Sequence, residues 1–190
     1  MRFLLFFLVF NISNFISAQI SNNDENIYDS LFVKWNDTFL TPKNTALNLV
    51  CPKIDTVRIA VIGLGNRGMM AIERLPQIPT IKIVAIADID SNKVNKALRS
   101  LHDTQFDLPK PYYEKNDWKL ICQRNDIDLI YVCTHWELHT PIAIYAMEHD
   151  KHVAVEVPAA LTVDECWQLV KTAEKTRKHC IQLENCMYDF

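Results

Sequence analysis

From Val57 onward, short apolar runs alternate with stretches in which apolar residues recur every three or four positions. A continuous apolar run is typical of a strand buried in a parallel sheet, and a period near 3.6 is typical of a helix that covers one. Their alternation predicts an α/β fold with a doubly wound parallel sheet. The strands are predicted at Val57–Ile62, Ile81–Ala87, Tyr112–Tyr113, Leu129–Cys133, His152–Glu156 and Cys180–Leu183.

The stretches between the predicted strands carry helix signals. Pro76 ends the first helix because proline has no amide hydrogen to donate. Thr162 and Glu165 have the spacing of a capping box, which predicts where the last helix begins. Leu129–Cys133 is apolar throughout, so we expect that strand to be buried on both faces. The helices are predicted at Arg67–Leu75, Ser91–Leu101, Trp118–Cys122, His139–Met147 and Val163–Arg177.

The first 54 residues do not follow this pattern. Arg2 precedes the apolar run Phe3–Phe10, and Ser17 and Ala18 are small residues of the kind found at a signal cleavage site, so residues 1–18 predict a Sec-type signal peptide and an exported protein, periplasmic or secreted. The run is shorter than the roughly 20 residues that span a bilayer, and we expect no stable membrane span. An uncleaved N-terminal anchor is the alternative. Residues 19–54 predict a polar N-terminal arm that packs on a domain at 55–190.

Composition narrows the function classes. A net charge of -3 without a long Lys/Arg stripe argues against nucleic acid as a partner. The 190 residues suffice for one ordinary domain but not for two full ones. The six cysteines permit disulfides in an oxidising compartment, yet Cys133 and Cys180 fall in predicted strands, where a thiol behaves as a small apolar group, and we predict no disulfide.

The three glycines of the chain all lie in the six residues that follow the first predicted strand and open the first helix. In this G-x-G-x-x-G spacing the first glycine permits a tight turn, the second lets backbone approach a pyrophosphate, and the third lets the helix pack on the strand. The helix N-terminus then faces the anion. Gly63, Gly65 and Gly68, with Asn66 and Arg67 between them, therefore predict a Rossmann dinucleotide site. A structural turn without a ligand is the alternative.

A carboxylate at the end of the second strand indicates which dinucleotide is bound. Asp88 lies 20 residues after Gly68, where a carboxylate accepts hydrogen bonds from the adenosine ribose hydroxyls. A 2′-phosphate would meet like charge there, so Asp88 favours NAD over NADP, although the nearby Arg67 makes this a preference. Asp90 is the competing carboxylate, with a structural alternative at the start of the next helix.

Together with these motifs, several later segments make Val57–Phe190 resemble the N-terminal half of the Gfo/Idh/MocA oxidoreductases, and within them glycoside hydrolase family 109, the NAD-dependent α-N-acetylgalactosaminidases. The segment Glu156-Val157-Pro158 separates the glycosidases from the dehydrogenases of the family, since the dehydrogenases have lysine in place of Val157 and use it in proton transfer. The other segments are Ala87–Asp90, Thr134 with His139, Lys151–Pro158, Asp164–Trp167 and Leu183–Cys186.

The resemblance implies a set of NAD contacts, most of which fall just beyond predicted strand ends, where a doubly wound sheet binds its ligand. Trp136 could instead cover apolar surface, and Glu156 or Asn185 could satisfy loop backbone. His135 and His139 have zinc-like spacing, but no third ligand has recognisable spacing, and we expect no metal. The implied contacts are Asn66, Arg67, Asp88, Thr134, Trp136, Glu137, Leu138, His139, Glu156, Val157 and Asn185.

The resemblance also implies a reaction in which NAD oxidises the sugar at C3, the aglycone leaves by elimination, water adds, and the hydride returns. In that family the substrate domain would follow Phe190 and is absent from this sequence, so we expect these 190 residues alone to be inactive. Tyr188 is the one catalytic candidate, with an exposed terminal aromatic as its alternative. A sugar dehydrogenase and a non-catalytic nucleotide-binding remnant remain the other hypotheses.

Overall fold

The computed structural model describes residues 45–46, 49–102, 104 and 107–184. The predicted signal peptide and nearly all of the predicted arm lie outside the described residues, as do Asn185 and Tyr188. Among the described helices, none is both long enough and apolar enough to cross a membrane.

Strands and helices alternate along the described chain as predicted. The first half contains β1 (Val57–Ile62), α1 (Asn66–Arg74), a 3-10 turn (Leu75–Gln77), β2 (Ile81–Ala87), α2 (Ser91–His102) and β3 (Lys110–Tyr112). The second half contains α3 (Asp117–Cys122), β4 (Leu129–Val132), a 3-10 turn (Trp136–Leu138), α4 (His139–Glu148), β5 (His152–Glu156), α5 (Val163–Thr176) and β6 (Cys180–Leu183).

The six strands form one parallel sheet in the order β3-β2-β1-β4-β5-β6. The order reverses between β1 and β4, which is the arrangement of a doubly wound Rossmann sheet. The predicted fold class is therefore confirmed. The bounds of β1, β2, β5 and β6 agree with those predicted from the apolar runs.

Each face of the sheet carries its own apolar core, because successive side chains of a strand point to opposite faces. On one face, Ile59, Val61 and Ile83 pack against Val94 and Leu101 of α2. On the other face, α3, α4 and α5 cover all the strands from β1 to β5, through residues that include Ile121, Ile142, Met147, Leu169 and Ala173.

The strand β4 differs from its prediction. Ile130 and Val132 are fully buried, but Leu129 and Tyr131, on the other face, are only half-buried. On that face the described helices with buried residues in its core are α1 and α2, which pack with β1 and β2. The expectation that β4 is buried on both faces was wrong, because an apolar run does not show how far the helices extend across a sheet.

The described cysteines, Cys51, Cys122, Cys133, Cys166 and Cys180, carry free thiols. Burial raises the pKa of Cys122 to about 12 and that of Cys180 to about 11. These thiols stay protonated near neutral pH and behave as small apolar groups.

The capping box at the start of α5 gives a first prediction. The Thr162 hydroxyl accepts a hydrogen bond from the Glu165 amide at 3.2 Å, and the Glu165 carboxylate accepts one from the Thr162 amide at 3.1 Å. Thr162→Ala removes the first bond and should lower the free energy of unfolding by about 1 kcal/mol in urea. Thr56→Ala is the control, since Thr56 is exposed and its hydroxyl bonds to none of the described residues. Equal stability of the two variants would contradict the role of the cap.

Candidate functional site

The predicted site residues that the structure describes gather at one edge of the sheet. Parallel strands end at the same edge, so the turns that follow β1, β2, β4 and β5 lie together there. The strand order reverses between β1 and β4 at this edge, and such a reversal opens a crevice in which doubly wound sheets bind ligands.

Two of the three glycines are required by the fold of the first turn. Gly63 has a φ of +93°, and a Cβ on it would lie 2.4 Å from the Cys133 carbonyl oxygen, at the end of β4. A Cβ on Gly68 would lie 1.9 Å from the Gly63 carbonyl oxygen. Both contacts are with backbone, which cannot move aside as a flexible side chain can. These two positions therefore bring α1 close to β1 and β4.

Gly65 has a different environment. A Cβ built on it meets no described atom within 4 Å, so packing within the described chain does not require glycine there. It is also the N-cap of α1, and among the described residues no side chain caps this helix start. The first amide groups of a helix have no partners within the helix and attract anions. Bare backbone beside an uncapped helix start leaves room for a phosphate group.

The Asp88 carboxylate is held in place beside this turn. Its Oδ2 accepts a hydrogen bond from the Leu64 amide at 2.7 Å, and its Oδ1 accepts one from the Asp90 amide at 2.9 Å. The Lys93 ammonium lies 3.8 Å from Oδ1. Asp90 accepts a hydrogen bond from the Asn92 amide at 2.9 Å, as a residue at a helix start does. Asp88 is thus fixed beside the glycine turn. Asp90 instead has the structural role at the start of α2 that was its alternative in the sequence.

The turn after β4 combines exposed and buried predicted residues. Trp136 is 60% exposed, and Glu137 is exposed as well. Thr134 is half-buried, and Leu138 packs against the core. His139 is buried, with 1% of its surface exposed.

The His139 ring connects two turns. Its Nδ1 lies 2.8 Å from the Pro158 carbonyl oxygen, and its Nε2 lies 3.0 Å from the Thr134 carbonyl oxygen. The neighbouring Thr140 hydroxyl donates to the Ala159 carbonyl oxygen at 3.0 Å. The ring nitrogens of His139 therefore point to backbone within the protein. The structure assigns His139 to holding the turns after β4 and β5 together, while its predicted contact with a cofactor stays a prediction.

Glu156 and Val157 lie at the end of β5. The Glu156 carboxylate pairs with the Arg67 guanidinium across 3.9 Å, and both side chains line a cavity of about 230 Å³ beside α1. Tyr131 also lines this cavity, and burial raises its pKa to about 12. Val157 is half-buried. The apolar Val157 carries no group that could move a proton.

Three residues near the turn were not predicted from the sequence. Leu64 donates the amide that holds Asp88, Lys93 extends from α2 to the same carboxylate, and Ile89 is an apolar side chain with 70% of its surface exposed next to Asp88. Of these three residues, Lys93 alone could have been found from the sequence, because it lies in the first turn of a helix that begins just after Asp88.

Comparison with known proteins identifies the family. Residues 57–183 match the Gfo/Idh/MocA model, described as an oxidoreductase family with an NAD-binding Rossmann fold. An α-N-acetylgalactosaminidase of Bacteroides fragilis is 51% identical over 150 residues, which are 78% of this chain and 35% of that enzyme. A glycosyl hydrolase family 109 protein of Phocaeicola vulgatus is 52% identical over 145 residues, covering 76% of this chain and 31% of that protein.

The chain thus spans about a third of the length of these curated relatives. Among solved structures, the WlbA dehydrogenase of Chromobacterium violaceum, in complex with NADH and UDP-GlcNAcA, has a TM-score of 0.61 at 23% identity, covering 71% of this chain and 37% of that one. This likeness shows the shared fold. The chain belongs to the Gfo/Idh/MocA oxidoreductase family, and residues 57–183 are its NAD-binding Rossmann domain.

Proposed function

We propose that this chain binds NAD in preference to NADP and serves as the cofactor-binding part of a glycosidase that acts on α-N-acetylgalactosaminides. The observation that carries the cofactor proposal is the open space over Gly65 beside the uncapped start of α1. A pyrophosphate fits such a place, because the first amide groups of α1 have no partners among the described residues and the helix dipole favours an anion.

The preference for NAD rests on Asp88. Its carboxylate is fixed by two backbone amides, and each oxygen keeps a lone pair with which to accept from a ribose hydroxyl. The exposed Ile89 side chain beside it offers an apolar surface for an adenine ring. A 2′-phosphate would be repelled by Asp88, although Lys93 would attract it. The Arg67 guanidinium pairs instead with Glu156, at the end of β5.

This balance of charges predicts the effect of Asp88→Ser. The change removes the repelling carboxylate and leaves the Lys93 ammonium in place, so affinity for NADPH relative to NADH should rise about tenfold or more. Fluorescence titration of the full chain with each reduced cofactor measures the ratio. Asp90→Ser is the matched control, because Asp90 caps α2, and its ratio should stay near that of the unaltered chain. An unchanged ratio in Asp88→Ser would contradict the assignment of the ribose site.

The glycosidase proposal is supported by the similarity to the Bacteroides fragilis enzyme and by Val157. Bound NAD would accept a hydride from a sugar carbon and later return it. The residues of this chain would bind and orient that cofactor, with the glycine turn at the pyrophosphate and the His139 ring holding the turns after β4 and β5. Val157 supplies no proton relay of the kind that a lysine provides, which favours a glycosidase over a sugar dehydrogenase of the same family.

A chimera tests the glycosidase proposal. The matched 150 residues of the Bacteroides fragilis enzyme are replaced by their counterparts from this chain. We expect release of nitrophenol from nitrophenyl α-N-acetylgalactosaminide without accumulation of NADH. A second chimera with Gly65→Val should release none. Accumulation of NADH with free sugars would instead favour the dehydrogenase, and a folded, NAD-binding chimera without either activity would favour the non-catalytic alternative.

Export is a separate part of the proposal and rests on residues 1–18 alone. Sequencing the N-terminus of the mature protein tests it. A mature chain that begins at Gln19 would support a cleaved signal, and a chain that retains residues 1–18 in the membrane fraction would support the anchor.

A further inference from the structure

The opposite edge of the sheet, where the strands begin, carries a polar cavity of about 380 Å³. We call it the N-edge cavity. It lies at the other end of the strands from the glycine turn, because Arg58 is the second residue of β1 and Lys151 immediately precedes β5. Its charged and imidazole lining consists of Arg58, Asp128, His149, Asp150, Lys151, His152 and Lys178.

Both carboxylates of the N-edge cavity already have cationic partners. The Arg58 guanidinium donates to both oxygens of Asp128, with Nη2 to Oδ1 at 2.6 Å and Nε to Oδ2 at 2.8 Å. The Lys178 ammonium pairs with the Asp150 carboxylate at 2.7 Å. With the histidines neutral, the positive charge of Lys151 is the one that no carboxylate of the cavity balances.

The Lys151 side chain is buried and unpaired. The residue is 5% exposed, and within the described chain no acceptor forms a hydrogen bond or ion pair with its Nζ. Burial lowers the pKa of the Lys151 ammonium, the carboxylates of Asp150 and Asp128 oppose that shift, and the Arg58 guanidinium adds to it. The Nζ atom keeps contact with solvent, because no fully buried side-chain nitrogen or oxygen among the described residues lacks a hydrogen-bond partner. The ammonium therefore opens onto the cavity, where a bound anion would accept a charge-assisted hydrogen bond from it.

Further donors line the same cavity. His152 Nδ1 accepts a hydrogen bond from the His179 amide at 3.0 Å, so the proton of the neutral ring is on Nε2. Arg58 uses Nε and Nη2, and not Nη1, in its side-chain hydrogen bonds to Asp128 and to the Asn125 carbonyl oxygen. We propose that the N-edge cavity binds a small oxyanion, a carboxylate or a phosphate group, through the Lys151 ammonium.

Calorimetric titration of the full chain tests this proposal, with sodium phosphate and sodium acetate as separate probes at an ionic strength held constant with sodium chloride. We expect saturable binding of at least one probe, and the probe that binds identifies the anion. Lys151→Met keeps the apolar stem and should weaken that binding about tenfold or more, since it removes a charge-assisted donor. Lys175→Met, an exposed lysine of α5 outside the cavity, should leave it unchanged.

Two further measurements locate the anion. Gly65→Val should retain phosphate binding, which separates the N-edge cavity from the cofactor site and keeps this proposal independent of the proposed function. In the unaltered chain, the ring signals of His149 and His152 should move on titration, which does not require any variant to fold. The proposal is overturned if neither probe binds saturably, if Lys151→Met binds as the unaltered chain does, or if the histidine signals do not move.

Discussion

Replacing Gly65 by valine should weaken dinucleotide binding at least ~100-fold, about 2.7 kcal/mol, while changing the free energy of unfolding by less than about 1 kcal/mol. The two effects separate because a Cβ at this position meets no described atom within 4 Å. The valine methyl groups would occupy the space through which a pyrophosphate must approach the backbone. The backbone there has a φ of -68° and a ψ of -164°, which a residue with a side chain can adopt.

Fluorescence titration with NADH and urea unfolding measure the two quantities on the same protein. Thr56→Val is the control, because Thr56 is exposed and precedes β1, at the opposite edge of the sheet. Binding of NADH by Gly65→Val with the affinity of the unaltered chain would show that the glycine turn does not hold the cofactor.

Replacing Gly68 by alanine should destabilise the fold, unlike Gly65→Val. We expect it to lower the free energy of unfolding by about 3 kcal/mol. The added Cβ would lie 1.9 Å from the Gly63 carbonyl oxygen and 2.9 Å from its carbonyl carbon. Gly63 cannot retreat easily, since it packs so tightly on the end of β4 that a Cβ on it would lie 2.4 Å from the Cys133 carbonyl oxygen, and its φ is +93°. Relief of the clash therefore requires α1 to move away from the sheet.

Urea unfolding of Gly68→Ala measures this cost. Gly65→Ala is the matched control, because it adds the same methyl group three residues earlier in the same turn, where space is open. A large difference in stability between the two variants is expected. Equal stability would mean that α1 does not pack as closely on β1 as the structure shows.

Much of the fold could be predicted from local patterns. The apolar runs of β1, β5 and β6 are bounded by polar or turn residues on both sides, so their ends were marked in the sequence. The capping box of α5 involves residues three apart and was equally readable. The glycine turn was predicted for the same reason, since its spacing lies within six residues.

Features that depend on distant parts of the chain could not be predicted in this way. The half-burial of Tyr131 depends on where α1 lies, and the role of His139 depends on the Pro158 carbonyl, 19 residues away. Lys151 is left without a carboxylate partner because Asp128 and Asp150 pair with other residues, and the sequence does not show which residues pair. Pairing of this kind is a property of the tertiary structure.

The central claim is that the turn from Gly63 to Gly68 binds the pyrophosphate of NAD. Because the chain has only three glycines and all of them lie in this turn, a chain labelled with ¹⁵N-glycine shows three amide signals, each from the site itself. Titration with NAD should move the Gly65 signal saturably, with smaller shifts at Gly63 and Gly68. Three signals that stay in place at millimolar NAD would contradict the account.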